Sequence, residues 1–321
     1  IFPVVHVGGL GGNLPYAVAN VIIAIAMIAI VVLGTAILRS VAATDDKPLG
    51  FACALALSAG GLGITIFASA AAGWISLARF GVMIPQWWNL PAAAWLAIAA
   101  LAATAFGRQK QEPQTPTASG WRMVPALLLL AWPVVFDLLK CFEPEFQADA
   151  LEYHLTLPYY WAVEHSLRHF SSQLGEQTLR VLSPFRPAGY PLLTEMLYAI
   201  PVSQALPFAV KIVHVAFGVA TVAAVYGFVR STLAGQSWAV CSAPAALTVS
   251  ALFFQFESVN EVAVWAHTDL ARTFFAVCAA GQMAGYAASG RRRDLVIASL
   301  IAGLAMSTSY ISIVFTNGLL T

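Results

Sequence analysis

Apolar stretches too long for the core of a soluble domain recur through this chain. A helix crossing the hydrocarbon core of a bilayer needs roughly 20 apolar residues, with about 17 as the lower limit. Seven runs reach that length: Tyr16–Leu38, Leu49–Gly73, Leu90–Phe106, Met123–Leu139, Pro207–Val229, Ser237–Phe254 and Leu295–Phe315. An eighth, Leu270–Ala288, carries Arg272 near one end. Of the 321 residues, 60% are hydrophobic and 10% charged, with mean hydropathy +0.78. A soluble domain carries about 25% charged residues, so this inventory cannot cover a soluble surface. The expected fold is therefore all-α, a polytopic membrane helical bundle. A net charge of +1 offers no field for nucleic acid, and no such partner is expected. Cys53, Cys141, Cys241 and Cys278 are scattered and read as small packing residues, not a disulfide or zinc framework. The chain opens at Ile1 with no initiator Met and stops soon after an apolar run, which leaves it open to incompleteness at either end.

A ninth stretch, Gly189–Leu206, has the length of a span but contains Pro191, Pro201 and Glu195. Basic residues gather in four connections: Arg39/Lys47, Arg108/Lys110/Arg122, Arg230 and Arg291-Arg292-Arg293. All four fall on the cytoplasmic side only if Gly189–Leu206 does not cross. The count becomes about eight spans with both termini outside, and Trp74, Trp87 and Trp88 suit an outer aromatic belt. Residues 1–122 form an N-terminal three-helix segment, and 123–321 the remaining core, including a long outer connection over 140–206. Its first half reads as an amphipathic helix from Asp149, with Leu151, Leu155, Tyr159 and Ala162 on one stripe and a kink at Pro158. The Asp149–Glu152 spacing is that of a capping box. Its second half suits a helix lying in the outer interface.

Ionisable groups are costly inside a membrane, so their placement carries information. Here they gather in two outer connections. The first offers Glu143, Glu145, Asp149, Glu152, His154 and Arg186; the second offers Glu257, Glu261, His267, Asp269 and Arg272. Two acidic connections facing each other above a bundle make a cleft suited to joining a lipid-carried group to an external acceptor. Structural roles compete with that reading. Asp149 can serve as a helix N-cap, Asp269 and Arg272 as an i,i+3 pair, and Lys211 can snorkel to headgroups. His165 and His169 have metal-ligand spacing without a third ligand, and the triple arginine can be a topology anchor.

The segment Asp149-Ala150-Leu151-Glu152-Tyr153-His154-Leu155, followed by Pro158 and Tyr160, resembles the Asp-x-Leu-x-Tyr-His-Leu…Pro segment of bacterial integral-membrane glycosyltransferases of the GT-C superfamily. Further stretches look like the same family. They are Pro187-Ala188-Gly189-Tyr190-Pro191 running into Glu195-Met196-Leu197-Tyr198, then Lys211-Ile212-Val213-His214, Thr268-Asp269-Leu270-Ala271 and Ala302-Gly303-Leu304-Ala305. The resemblance covers roughly Met123 to Phe315 and rests on order and spacing. It implies a bacterial cytoplasmic-membrane enzyme with its acidic connections extracytoplasmic. A polyprenyl-phosphate lipid would be the donor, alongside membrane lipids and other membrane subunits as partners. Asp149 takes the place of the family's catalytic aspartate, as general base or acceptor-orienting group. His154, Arg186, Lys211, His214, Glu261, Asp269 and Arg272 are the substrate-binding candidates, the cations facing the leaving phosphate. No cofactor is expected, and a divalent metal has no support in the sequence. Relatives usually carry Lys where this chain has Ser309, ahead of Tyr310. The alternative function is a non-catalytic accessory subunit of a larger membrane complex, descended from such an enzyme.

Overall fold

The computed structural model describes residues 10–42, 47–75, 88–106, 123–165, 167, 192–233 and 242–320. Within them the chain forms twelve α-helices and one π-helical turn. The first four helices are α1 (Leu10–Leu38), α2 (Lys47–Ala71), α3 (Asn89–Phe106) and α4 (Val124–Lys140). The π turn (Ala150–His154), α5 (Thr156–Glu164) and α6 (Leu193–Val202) occupy the long connection. Then follow α7 (Pro207–Leu233), α8 (Ser242–Phe253), α9 (Glu257–Ala263), α10 (Asp269–Ser289), α11 (Arg292–Met306) and α12 (Ile311–Leu320). Helix α7 is the hub, packing against α1, α2, α4, α8 and α10.

The protein is a multi-pass membrane protein, with several apolar, partly buried helices. The count of about eight spans is corrected to four. Among the described residues, Leu14–Leu38, Pro48–Ala71, Asn89–Phe106 and Pro207–Leu233 are long and apolar enough to cross a bilayer. The other runs fall short in helix length or in apolar content. Leu295–Phe315 is not one helix; it breaks at Ser307–Tyr310 into α11 of 15 residues and α12 of 10. At the break, Ser307 Oγ donates to the Gly303 carbonyl and Thr308 Oγ1 to that of Ala305. Ser237–Phe254 yields only the 12-residue α8 among its described residues. Helix α4 has 17 residues, and α10 is diluted by Asp269, Arg272 and Gln282.

Gly189–Leu206 is corrected too. Its helical part, α6, has 10 residues, every one of them buried, so it lies inside the bundle and not on an outer interface. Its first backbone N–H is satisfied from outside the helix, Leu193 N donating to Ser307 O at 2.8 Å. Trp74 is exposed, but Trp88 is buried, and Trp87 lies outside the described residues.

Small residues let the helices approach closely. A Cβ at Gly227 of α7 would stand 2.5 Å from the backbone nitrogen of Leu49 in α2, and one at Gly61 would enter the ring of Trp95. Near Leu49 lies the turn after α1, where Arg293 Nε donates to the Val41 carbonyl at 3.0 Å and Nη2 to those of Ser40 and Val41. The triple arginine is therefore more than an anchor: one member closes the C-terminal end of α1. Arg39, Arg230 and Arg291–Arg293 share this basic end of the bundle, and the acidic connections occupy the opposite one.

Candidate functional site

Two helices bring polar groups to the acidic end, α7 within its first eight residues and α10 in its first turn. Helix α7 supplies Lys211 and His214, α10 supplies Asp269 and Arg272, and α6 lies buried between them and the π turn. The two acidic connections are tied together directly. Glu145 Oε1 accepts the backbone N–H groups of Phe146 and Gln147, each at 3.0 Å, and its Oε2 accepts that of Ala266 at 2.9 Å. Glu145 thus orders the connection ahead of the π turn, whereas the Asp149 side chain makes no capping hydrogen bond and is exposed. Asp137 Oδ2 accepts from Asn260 Nδ2 at 3.2 Å, a second tie to α9.

The expected amphipathic helix from Asp149 begins as a π turn, with Leu155 N bonded to Ala150 O at 2.9 Å. Single π turns within helical segments are frequent at functional sites. This one directs His154 inward, where Nδ1 meets Glu195 Oε1 at 2.6 Å, with 5% and 2% of the side chains accessible. Its ring lies 4.0 Å from that of Tyr153 and 5.4 Å from that of His267. Behind it, the Tyr198 hydroxyl donates to the His267 carbonyl and lies 3.0 Å from His214 Nδ1. Burial, with the nearby charges of Glu195 and Asp269, pushes the Tyr198 phenol well above its ordinary value, so it keeps its proton. At the rim, Arg272 Nη2 stands 2.6 Å from Asp269 Oδ1, and His267 Nδ1 stands 3.4 Å from Asp269 Oδ2. The His267 hydrogen bond leads in holding the Asp269 carboxyl down at about 2; burial opposes it and Arg272 assists. Glu195 Oε2, His214 Nε2 and His267 Nε2 are buried without a hydrogen-bond partner.

Of the residues singled out in the sequence, His154, His214, Asp269 and Arg272 converge here. Lys211 is buried nearby and does not snorkel; its Nζ donates to the Glu143 carbonyl at 3.0 Å. Glu261 is exposed on α9, away from these contacts, and Arg186 lies outside the described residues. His165 closes α5 in a left-handed conformation and its Nδ1 lies 2.8 Å from Ile75 O, while His169 is also outside. Glu195 was noted only as a charge within Gly189–Leu206 and as a motif letter, Tyr198 only as a motif letter, and His267 only as a member of the second connection. The signal for Glu195 was its charge inside an apolar stretch. No group of three or more His, Cys, Asp or Glu side chains able to hold a metal ion occurs among the described residues.

An apolar cleft of about 420 Å³ runs between α1, α2, α4 and α7, lined by Met27, Leu62, Leu138, Leu197, Val213 and Phe217 among others. Leu197 adjoins Tyr198, and Val213 adjoins His214, so the cleft and the cluster share α6 and α7. Its α7 wall runs from Ile212 to Ala223, which at 1.5 Å per residue is roughly 17 Å.

Fold and site together define a multi-pass α-helical membrane protein with a buried polar cluster and an apolar cleft built on two shared helices, α6 and α7. No family model, curated protein or solved structure matches the chain.

Proposed function

We propose that this chain is a membrane glycosyltransferase of the GT-C kind, moving a sugar from a polyprenyl-phosphate carrier to an acceptor. The observation that carries the reading is that α6 and α7 bear both an apolar cleft and a cluster of buried polar groups. A lipid-linked sugar needs both: a dry channel for the chain and polar partners for the head. Arg272 is the cation placed to meet the phosphate as charge develops on it. Asp149, exposed and not occupied in capping, acts on the acceptor as base or orienting group. The basic end of the bundle faces the cytoplasm by the positive-inside rule, which leaves the cluster on the extracytoplasmic side of a bacterial cytoplasmic membrane.

Proteoliposomes holding the full chain, supplied with radiolabelled polyprenyl-phosphate hexoses and short alkyl glycosides, test this. Transfer that disappears in Asp149→Asn, with unfolding unchanged, supports the reading. The accessory-subunit alternative expects no turnover by the chain with any such donor.

A further inference from the structure

The three histidines of the cluster are held differently. His214 and His267 have their Nε2 atoms closed off from solvent and unpartnered. His154 Nε2 is not closed off in that way and has no hydrogen-bond partner among the described residues, while its Nδ1 is engaged by Glu195. A buried carboxylate needs a donor. The imidazole N–H at Nδ1 is the one that Glu195 has, and that protonation leaves the lone pair on Nε2. The ring is held from two sides by Tyr153 and His267, and its backbone sits on the π turn. Base, orienting carboxylate and fixed ring are what general-base catalysis asks for. Asp149 has no such support: it is exposed, with no capping bond to fix it.

Resting on the transferase reading, we infer that His154 Nε2 takes the proton from the acceptor, with Glu195 as its positioning residue and Asp149 orienting the acceptor. The acceptor hydroxyl oxygen bonds to the anomeric carbon of the sugar while its proton moves to His154 Nε2. The bond from that carbon to the phosphate oxygen breaks, and its electron pair leaves with the lipid phosphate. The imidazolium is matched by the Glu195 carboxylate, then returns its proton to the departing phosphate. Imidazole is suited to the task as a class because it exchanges protons near neutral pH.

The experiment uses the full chain in proteoliposomes with the same polyprenyl-phosphate hexoses and alkyl glycosides. His154→Gln lowers kcat by about 10²- to 10⁴-fold, the size of a lost general base, and leaves KM for the donor nearly unchanged. Glu195→Met lowers kcat less and again spares KM. Side-chain ¹⁵N spectra of histidine, with the His154 signals assigned by their loss in His154→Gln, show protonation at Nδ1 in the wild type and a mixture in Glu195→Met. A wild type that transfers sugar while His154→Gln keeps its rate overturns this assignment and leaves the transferase reading standing. A wild type with no transfer overturns both. Protonation of His154 at Nε2 overturns the assignment whatever the rates are. Should His154→Gln fail to fold, the Glu195→Met kinetics decide, and an unchanged kcat there overturns the dyad.

Discussion

Nδ1 of His214 lies 3.0 Å from the hydroxyl of Tyr198, and both side chains are sealed inside the bundle. The phenol has one proton and gives it to the His267 carbonyl, so His214 must donate through Nδ1–H. Tyr198 thereby joins α6, α7 and the approach to α10. Tyr198→Phe leaves the half-buried His267 carbonyl and the buried His214 N–H without partners, at a cost of about 1–3 kcal/mol. Thermal unfolding in detergent measures it, and an unchanged midpoint would show that the hydroxyl contributes nothing net.

Gly227 sets the approach of α7 to α2. The obstacle to a side chain there is the Leu49 backbone at 2.5 Å, which cannot rotate away. Gly227→Ala forces the helices apart and destabilises the protein by about 1–3 kcal/mol, in the range of overpacked cores. Gly303 on α11 is the control: a Cβ there meets nothing within 4 Å, so Gly303→Ala is neutral or stabilising. Equal effects of the two substitutions would remove the steric explanation.

The helical class was legible because it depends on bulk apolar content, which sequence states directly. The gathering of ionisable residues at helix starts was legible too, since Lys211, His214, Asp269 and Arg272 follow the first residues of α7 and α10. Span number was not. The break at Ser307–Tyr310 divides one apolar run into two short helices, and a mean hydropathy passes over it. Glu195 escaped because a charge with two prolines in Gly189–Leu206 reads as surface, whereas a histidine 41 residues earlier allows it to be buried. Asp149 does not cap, and the carboxylate that accepts backbone N–H groups in this connection is Glu145. Only the tertiary contact from Glu145 to Ala266 N distinguishes them.

Arg293 separates two explanations for the triple arginine. A topology anchor needs charge alone, so Lys would replace it without loss. A fork across the Ser40 and Val41 carbonyls needs the planar guanidinium, which an ammonium cannot reproduce. Arg293→Met loses about 1.5–3 kcal/mol, the scale of a hydrogen bond to a charged group, and Arg293→Lys recovers only part. Full recovery by Lys, read from unfolding midpoints, would return the residue to the role of anchor.

Asp269 makes the acid stability of the protein predictable in sign. Its carboxyl sits at about 2, held first by the His267 hydrogen bond, with burial opposing and Arg272 assisting. An unfolded aspartate titrates near 3.9, so the folded state favours the ionised form. That contribution is fully present above about pH 4 and is lost as pH falls through about 2. The carboxyl is partly open to solvent, so the effect is modest and weakens with salt. Asp269→Asn removes the titrating group and leaves Arg272 unpaired. The wild type should be the more stable at neutral pH, and the two midpoints should converge as the pH is lowered from 4 towards 2. Parallel midpoint curves across that interval, at constant ionic strength, would show that the pair of Asp269 with His267 and Arg272 does not hold the carboxyl down.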